Sequence, residues 1–150
     1  MAIGHGVQNT DINAEIIIFD ILQSDFNEKI RLSFHDKGVS HVAFSPDSKF
    51  LISIGTYEEQ SVVVWDISSG TVVGQCGNNG AINDITVFSG QELMFATCGS
   101  NSLRLWKVEE GELLFFDIPL PEENLILTAL EYTPYLNAPY NANLVLVGDT

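Results

Sequence analysis

The sequence predicts an all-β fold built from repeated antiparallel sheets. Short runs of Ile, Val, Leu and Phe alternate with turn-forming residues, and no part of the chain carries the 3.6-residue apolar period of a helix. Three of these runs end in an aromatic residue followed by a polar one: Phe19-Asp20, Trp65-Asp66 and Trp106-Lys107. The aromatics lie 46 and 41 residues apart, close to the roughly 40–45 residues of a four-stranded repeat.

Turn residues separate the predicted strands. Ser45-Pro46-Asp47-Ser48 is typical of a type I turn, because proline fixes φ and the Asp and Ser side chains can bond back to the backbone. Ser68-Ser69-Gly70 and Glu109-Glu110-Gly111 end in the glycine that a tight hairpin requires. We therefore expect strands over 39–44, 51–55 and 62–66 in one repeat, and over 82–87, 95–99 and 103–107 in the next.

The stretch from Val39 to Asp66, with Phe44-Ser45-Pro46-Asp47 and Trp65-Asp66, resembles a WD repeat, and the pattern extends more weakly over essentially the whole chain. The resemblance implies a WD-repeat β-propeller segment, whose blades have strands a to d counted outward from a central channel. It implies complete blades over 39–76 and 81–118, and partial blades over 1–35 and 127–150. Propellers have about four to eight blades. We therefore expect the rest of the propeller to come from the same longer chain or from an assembly; a closed 150-residue barrel is the alternative.

The resemblance also implies a hydrogen-bonded network inside the blade, formed by a histidine, a serine or threonine, a tryptophan and an acid. His35, Ser53 and Trp65 match by position, and Glu59 replaces the usual aspartate. The next blade has lost the histidine and the acid, and its corresponding residues are Asn78, Thr97, Ser100 and Trp106. His35 is accordingly interpreted as structural and not as a catalytic base.

The composition argues against several classes of function. The formal net charge is −14, and the six Lys and Arg residues are scattered, so no nucleic-acid surface is predicted. No apolar run approaches the roughly 20 residues of a membrane span, and the amino terminus does not resemble a signal peptide. The expected protein is cytoplasmic, with no membrane contact.

No catalytic or cofactor site is predicted either. The sequence has no nucleotide loop and no metal-ligand spacing, and His41 with Asp84 is the only candidate catalytic pair. Cys76 and Cys98 are 22 residues apart without a Cys-x-x-Cys pair, and we expect both to be buried as small apolar residues. The prediction is a protein that is not an enzyme and needs no cofactor.

Two loop insertions are the candidate partner-binding sites. One contains Tyr57 and Glu58, and the other, over 134–142, contains Tyr135 and Tyr140 between prolines. Loops carry binding residues more often than the scaffold does, and tyrosine is favoured at interfaces. The alternative for the second loop is that it packs on its own blade. The acidic loop residues are predicted at both ends of the propeller, so charge does not select a face. The favoured interpretation is that they are solvated charges that keep a β-rich protein soluble.

The fuller pattern resembles the ciliary and centriolar WD-repeat proteins, including the flagella-associated microtubule inner protein and the echinoderm microtubule-associated protein-like group. This resemblance rests on Ala2-Ile3-Gly4-His5-Gly6, a long loop, then Glu15–Asp20 and the strands before Trp65. It implies a scaffold bound to microtubules of cilia, flagella or centrioles, with tubulin or other axonemal or centriolar proteins as partners. The alternative is a general cytosolic adaptor in ubiquitin ligation, trafficking or signalling.

Overall fold

The computed structural model describes residues 2–4, 13–22, 26–133 and 143–149, and β-strands are the only regular secondary structure in those ranges. The all-β prediction is confirmed. None of the described residues forms a helix with the length and apolar character needed to cross a membrane.

The strands form four antiparallel sheets that follow one another along the chain. The first contains β1 (Ala2–Gly4), β2 (Ala14–Phe19) and β3 (Glu28–His35). The second contains β4 (Val39–Phe44), β5 (Phe50–Gly55), β6 (Ser61–Asp66) and β7 (Thr71–Gly77). The third contains β8 (Ile82–Val87), β9 (Met94–Gly99), β10 (Ser102–Glu109) and β11 (Glu112–Asp117), and the fourth pairs β12 (Ile126–Thr133) with β13 (Asn143–Asp149).

The predicted turns form where their residues require them. The Ser48 amide donates to the Ser45 carbonyl at 2.8 Å, which closes the turn between β4 and β5. Gly70 and Gly111 have φ of 70° and 83° in the two outer hairpins, a region that residues with a Cβ rarely occupy. Each four-stranded sheet is therefore an up-and-down meander in which consecutive strands pair.

Both faces of the second sheet are covered, which explains its nearly continuous apolar runs. Alternate residues point to opposite faces of a strand. One set, Leu51, Val63 and Trp65, packs on Ile16, Ile18 and Leu32 of the first sheet. The other set packs on the third sheet, and this cluster contains Ile52, Ile54, Val62, Val64, Phe95, Trp106 and Leu113.

The repeat pattern predicts that the apolar side chains of β4, β5 and β6 are buried between blades, and not all of them are fully buried. Leu51, Ile54, Val62, Val64 and Trp65 are buried, whereas Val42 and Phe44 are only half-buried. These two side chains lie on β4, which is the edge strand of its sheet and has a neighbouring strand on one side only. Cys76 is likewise half-buried, while Cys98 is buried as expected.

Side-chain hydrogen bonds join the third and fourth sheets. The Asn83 side chain donates to the Leu127 carbonyl at 2.7 Å. The Leu130 amide donates to Asp84 Oδ2 at 2.8 Å, and the Tyr132 amide donates to Thr86 Oγ1 at 3.3 Å. Three polar residues of β8 therefore fix the position of β12 beside it.

The second and third sheets approach each other closely at Gly74 of β7. A Cβ on this residue would lie 3.2 Å from Cβ of Leu113 and 3.3 Å from its backbone nitrogen. Such distances are shorter than most van der Waals contacts of a Cβ. Gly74 is thus the residue that allows the outer strands β7 and β11 to pack against each other.

Candidate functional site

Three interstrand connections meet at one end of the sheets. The Thr56 amide donates to the Gly38 carbonyl at 3.0 Å, and the Asn78 amide donates to the Gln60 carbonyl at 2.7 Å. These bonds bring together the connections β3–β4, β5–β6 and β7–β8. The other hairpin turns of the second sheet lie at its opposite end, where the Ile67 amide donates to the Lys49 carbonyl at 2.9 Å.

His35 lies at the centre of a buried hydrogen-bonded network at this end. Its side chain is fully buried, with Nε2 at 2.7 Å from Ser53 Oγ and Nδ1 in contact with Glu59 Oε1. The Trp65 indole N–H donates to Ser53 Oγ at 2.9 Å. All four groups are satisfied if the Ser53 hydroxyl donates to Nε2, since the ring proton then lies on Nδ1 and points to Glu59.

This network joins two sheets. His35 is the last residue of β3 in the first sheet, whereas Ser53 and Trp65 belong to β5 and β6 of the second. The resemblance implied a network within one blade, and the structure differs in that the histidine comes from the preceding sheet. The hydrogen bonds therefore contribute to the spacing between sheets as well as to the interior of one sheet.

Glu59 also binds the neighbouring backbone. Its Oε2 accepts from the Lys37 amide at 3.0 Å, and Oε1 accepts from the Ser61 hydroxyl. Burial alone would raise the pKa of Glu59, but the hydrogen bonds from Ser61, the Lys37 amide and His35 hold that pKa below its ordinary value. Glu59 is accordingly an anionic cap on the β3–β4 connection at neutral pH.

The third sheet has a reduced version of the same arrangement. The Trp106 indole N–H donates to Thr97 Oγ1 at 2.8 Å, and both residues are buried. Asn78, which follows β7, accepts a hydrogen bond from Nη1 of Arg104 on β10. Ser100, which stands at the position of the missing acid, forms an isolated bridge with Ile126.

Arg104 is a residue that the sequence pattern did not indicate. Its Nε donates to Asp117 at 2.6 Å, and its guanidinium lies 4.5 Å from the centre of the Phe115 ring. The signal that could have identified it is a basic residue within an otherwise apolar strand, two positions before Trp106. Asn78 and Arg104 join the second and third sheets at the position where His35 joins the first and second.

His41 and Asp84, the two residues considered for catalysis, make hydrogen bonds with other groups. His41 Nδ1 contacts the hydroxyl of its neighbour Ser40 at 3.1 Å. The Asp84 carboxylate accepts from the amides of Ile85 and Leu130. Within the described ranges, no group of three or more His, Cys, Asp or Glu side chains has an arrangement that could hold a metal ion.

Tyr57 and Glu58 occupy the turn between β5 and β6, directly beside the His35 network. Tyr57 is 68% exposed and Glu58 is also exposed. Tyr57 lines a cavity of about 210 Å³ together with Thr56, Asn78 and residues of the β7–β8 connection. The Thr56 hydroxyl is buried there without a hydrogen-bond partner among the described residues. Tyr135 and Tyr140, the candidates in the second loop, lie outside the residues that the structure describes.

Sequence comparisons identify relatives of the chain. Centriole proteome protein 16 of Chlamydomonas reinhardtii is 30% identical over 136 residues, which are 87% of this chain and 6% of that protein. Cilia- and flagella-associated protein 52 of Sus scrofa is 30% identical over 102 residues, covering 64% of this chain and 16% of the relative. WD repeat-containing protein 90 of Mus musculus is 26% identical over 150 residues, which cover 95% of this chain and 8% of that protein. The chain thus spans a small part of each relative, and its resemblance to ciliary and centriolar WD-repeat proteins is confirmed.

Solved structures share the fold. The β-propeller domain of Myceliophteria thermophila Cps50 (Swd1) superposes with a TM-score of 0.70 at 17% identity, covering 88% of this chain and 41% of that one. A chain of the mitotic checkpoint complex superposes with a TM-score of 0.61 at 19% identity, and the match covers 85% of this chain and 42% of that one. These likenesses confirm the β-propeller fold. The family model described as WD domain, G-beta repeat, matches residues 27–66 and 70–107, more than half of the sequence, and the chain belongs to the WD40 repeat family.

Proposed function

We propose that the chain is part of a non-catalytic protein-interaction scaffold in the cytoskeleton of cilia, flagella or centrioles, bound to their microtubules. The observation that carries this proposal is the match to relatives named for centrioles and for cilia and flagella. The second and third sheets are proposed as its complete blades, 39–76 and 81–118, and residues 1–35 and 127–150 as partial blades.

The use of polar groups in the structure supports a non-catalytic role. The buried His35 and Ser53 and the half-buried Glu59 bind one another or the backbone, and Thr97 is bound to Trp106. A general base must reach a proton on a substrate, whereas the His35 ring is fully buried. These side chains stabilise the propeller, and contacts with partners are left to the exposed loops.

We propose the turn with Tyr57 and Glu58 as one such contact. The turn is held by bonds from the amides of Glu59 and Gln60 to the Thr56 carbonyl, both at 2.9 Å, and Glu59 anchors it to the network below. A rigid tyrosine gives a large contact area at a small entropic cost. The contact is based on shape, because a strongly acidic chain gains nothing from charge against acidic tubulin. The alternative is that an axonemal or centriolar protein binds the turn and bridges it to the microtubule.

The test is microtubule co-sedimentation and localisation of the full-length protein in ciliated cells. We expect Tyr57→Ser with Glu58→Ser to weaken both while leaving the thermal unfolding transition in place. Phe26→Ser is the matched control, since Phe26 is 64% exposed on a hairpin turn of the first sheet. Tyr135→Ser with Tyr140→Ser tests the other predicted loop in the same assay. If the parent protein never associates with microtubules or cilia, the general cytosolic adaptor replaces this proposal.

A further inference from the structure

An open groove runs between the second and third sheets on their outer side. It has a volume of about 760 Å³, and its walls come from β7, the β8–β9 turn and the β10–β11 hairpin. Both sheets that form it have all four strands within the described residues, so the groove is bounded by this chain alone. Its size lies in the range of roughly 300–1,000 Å³ that is typical of sites for ligands or a few side chains.

The floor of the groove is apolar. Val72 is 39% exposed there, and half-buried apolar side chains from both sheets continue the surface: Phe50, Val73, Leu93 and Val108. A neighbouring depression along β7 shares Val72 and Val73 and adds Leu113. This floor offers space for an aliphatic side chain from a partner.

Carboxylates surround this floor. Glu92, Glu109 and Glu110 line the groove, and Glu112 lines the adjoining depression; all four are exposed. Lys107 is the single cation lining the groove, and its ammonium is paired with Glu92 at 3.2 Å and with Glu109 at 3.6 Å. Glu110 and Glu112 have no ion pair with any described residue. The rim therefore has an excess of negative charge that is not neutralised within the chain.

From the apolar floor and the acidic rim we propose that the groove binds a short basic segment of a partner protein. An aliphatic side chain of this segment lies on the floor, and its Lys or Arg side chains lie on the glutamate rim. The proposal rests on the scaffold function proposed above and names the chemistry of one partner. The groove has room for a few side chains, so it fits a short segment and not the broad surface of a globular domain. The rim charges attract such a segment and select against acidic ones.

The experiment measures binding of labelled peptides to the purified protein by fluorescence anisotropy. The probe is Lys-Arg-Val-Lys-Leu-Arg, and two controls have either acidic residues in place of the basic ones or serines in place of Val and Leu. We expect the probe to bind at least about tenfold more tightly than either control, which corresponds to roughly 1.4 kcal/mol. Equal binding of all three peptides, or no binding of the probe, overturns the proposal.

Variants separate the groove from the overall charge of the chain. Glu109→Lys with Glu110→Lys should weaken binding of the probe by about tenfold or more. The control is Glu122→Lys with Glu123→Lys, which makes the same charge change on exposed residues in the β11–β12 connection, at the other end of β11. This control should change the affinity for the probe by less than about twofold. Equal effects of the two variants would mean unspecific attraction to an acidic protein and would overturn the proposal.

Val72→Thr tests the apolar floor, because it places a hydroxyl at nearly the same shape. It should weaken binding of the Val-Leu probe by a few-fold and leave the serine peptide unaffected. Circular dichroism and thermal unfolding show that each variant is folded. If the parent protein localises to cilia but does not bind the probe, the groove assignment fails and the scaffold stands. If it binds the probe but never associates with cilia or microtubules, the scaffold proposal fails and the groove stands.

Discussion

Glu59 contacts Nδ1 of His35, the last residue of the preceding sheet, 24 residues away along the chain. The same carboxylate accepts a bond from the Lys37 amide, so one side chain holds the histidine ring and the connection that follows it. Glutamate here is one methylene longer than the aspartate of a typical WD repeat. Glu59 lies in the turn between β5 and β6 that holds the insertion at 57–60, and its carboxylate reaches both His35 and the β3–β4 connection.

Replacing Glu59 with glutamine should destabilise the protein in a pH-dependent way. The pKa of Glu59 is lowered in the folded state, so its ionised form stabilises the fold above the unfolded-state pKa, near 4.5, and this contribution is lost as the pH falls through the lowered folded-state value. At pH 7 we expect Glu59→Gln to lower the free energy of unfolding by about 1–3 kcal/mol. Urea titrations at pH 7 and pH 3.5 measure the difference between parent and variant.

The difference in the free energy of unfolding between the parent and Glu59→Gln should be smaller at pH 3.5 than at pH 7. Glu58→Gln is the control, because Glu58 is exposed in the same turn and should have little effect at either pH. A destabilisation by Glu59→Gln that is the same at both pH values would contradict the ionic role of Glu59.

Gly74→Ala should destabilise the packing between the second and third blades. The added Cβ would lie 3.2 Å from Cβ of Leu113, and relief of this contact requires the two outer strands to move apart. We expect a loss of about 1–3 kcal/mol, as for other overpacked sites. Thermal or urea unfolding measures it.

Gly77→Ala is the matched control for that substitution. Gly77 lies on the same strand, and a Cβ there has its nearest neighbour, the Gln60 carbonyl oxygen, at 4.0 Å. It should be tolerated with a change below about 0.5 kcal/mol. The steric explanation would be wrong if both substitutions had the same effect.

Asp84→Ala should weaken the contact between the third and fourth sheets. It leaves the Leu130 amide without its acceptor, and the cost of an unsatisfied buried donor is about 1–3 kcal/mol. Asp84→Asn retains an acceptor oxygen and should cost less. Hydrogen exchange of the Leu130 amide, followed by NMR, should become faster in the alanine variant, and unchanged exchange would contradict this assignment.

The two cysteines should differ in their reactivity. Burial, followed by the negative charge of Asp84, raises the pKa of the Cys98 thiol to about 11, and alkylation requires the thiolate. Cys76 is half-buried on the outer strand β7. With iodoacetamide at pH 8, mass spectrometry should find Cys76 modified first and Cys98 modified only after denaturation in urea. Equal labelling of both in the folded protein would be the contrary result.

The repeats and most of the strands could be predicted because their signals are local. Turn residues mark the ends of strands, and the apolar runs of β5 and β6 reflect burial on both faces. His35, Ser53, Glu59 and Trp65 could be matched by position because family spacing fixes which of them meet.

Other contacts between sheets could not be predicted in the same way. Arg104 and Asn78 are 26 residues apart, and their bond depends on the angle between two blades, for which the sequence has no periodic signal. The half-burial of Val42 and Phe44 was missed for a related reason, since an apolar run does not show which strand lies at the edge of a sheet. The groove beside Val72 likewise exists only once two blades are placed side by side.

The close contact at Gly74 has a consequence for the geometry of the whole ring. The central angle between successive blades depends on how far apart their outer strands lie relative to their inner ones, and the curvature of a repeat array follows from that per-repeat rotation. With no side chain at Gly74, β7 and β11 pack directly against each other, and a larger residue there would push these outer strands apart and widen the wedge between the second and third sheets. Because wider wedges divide a full circle into fewer sectors, such a residue would favour a ring with fewer blades.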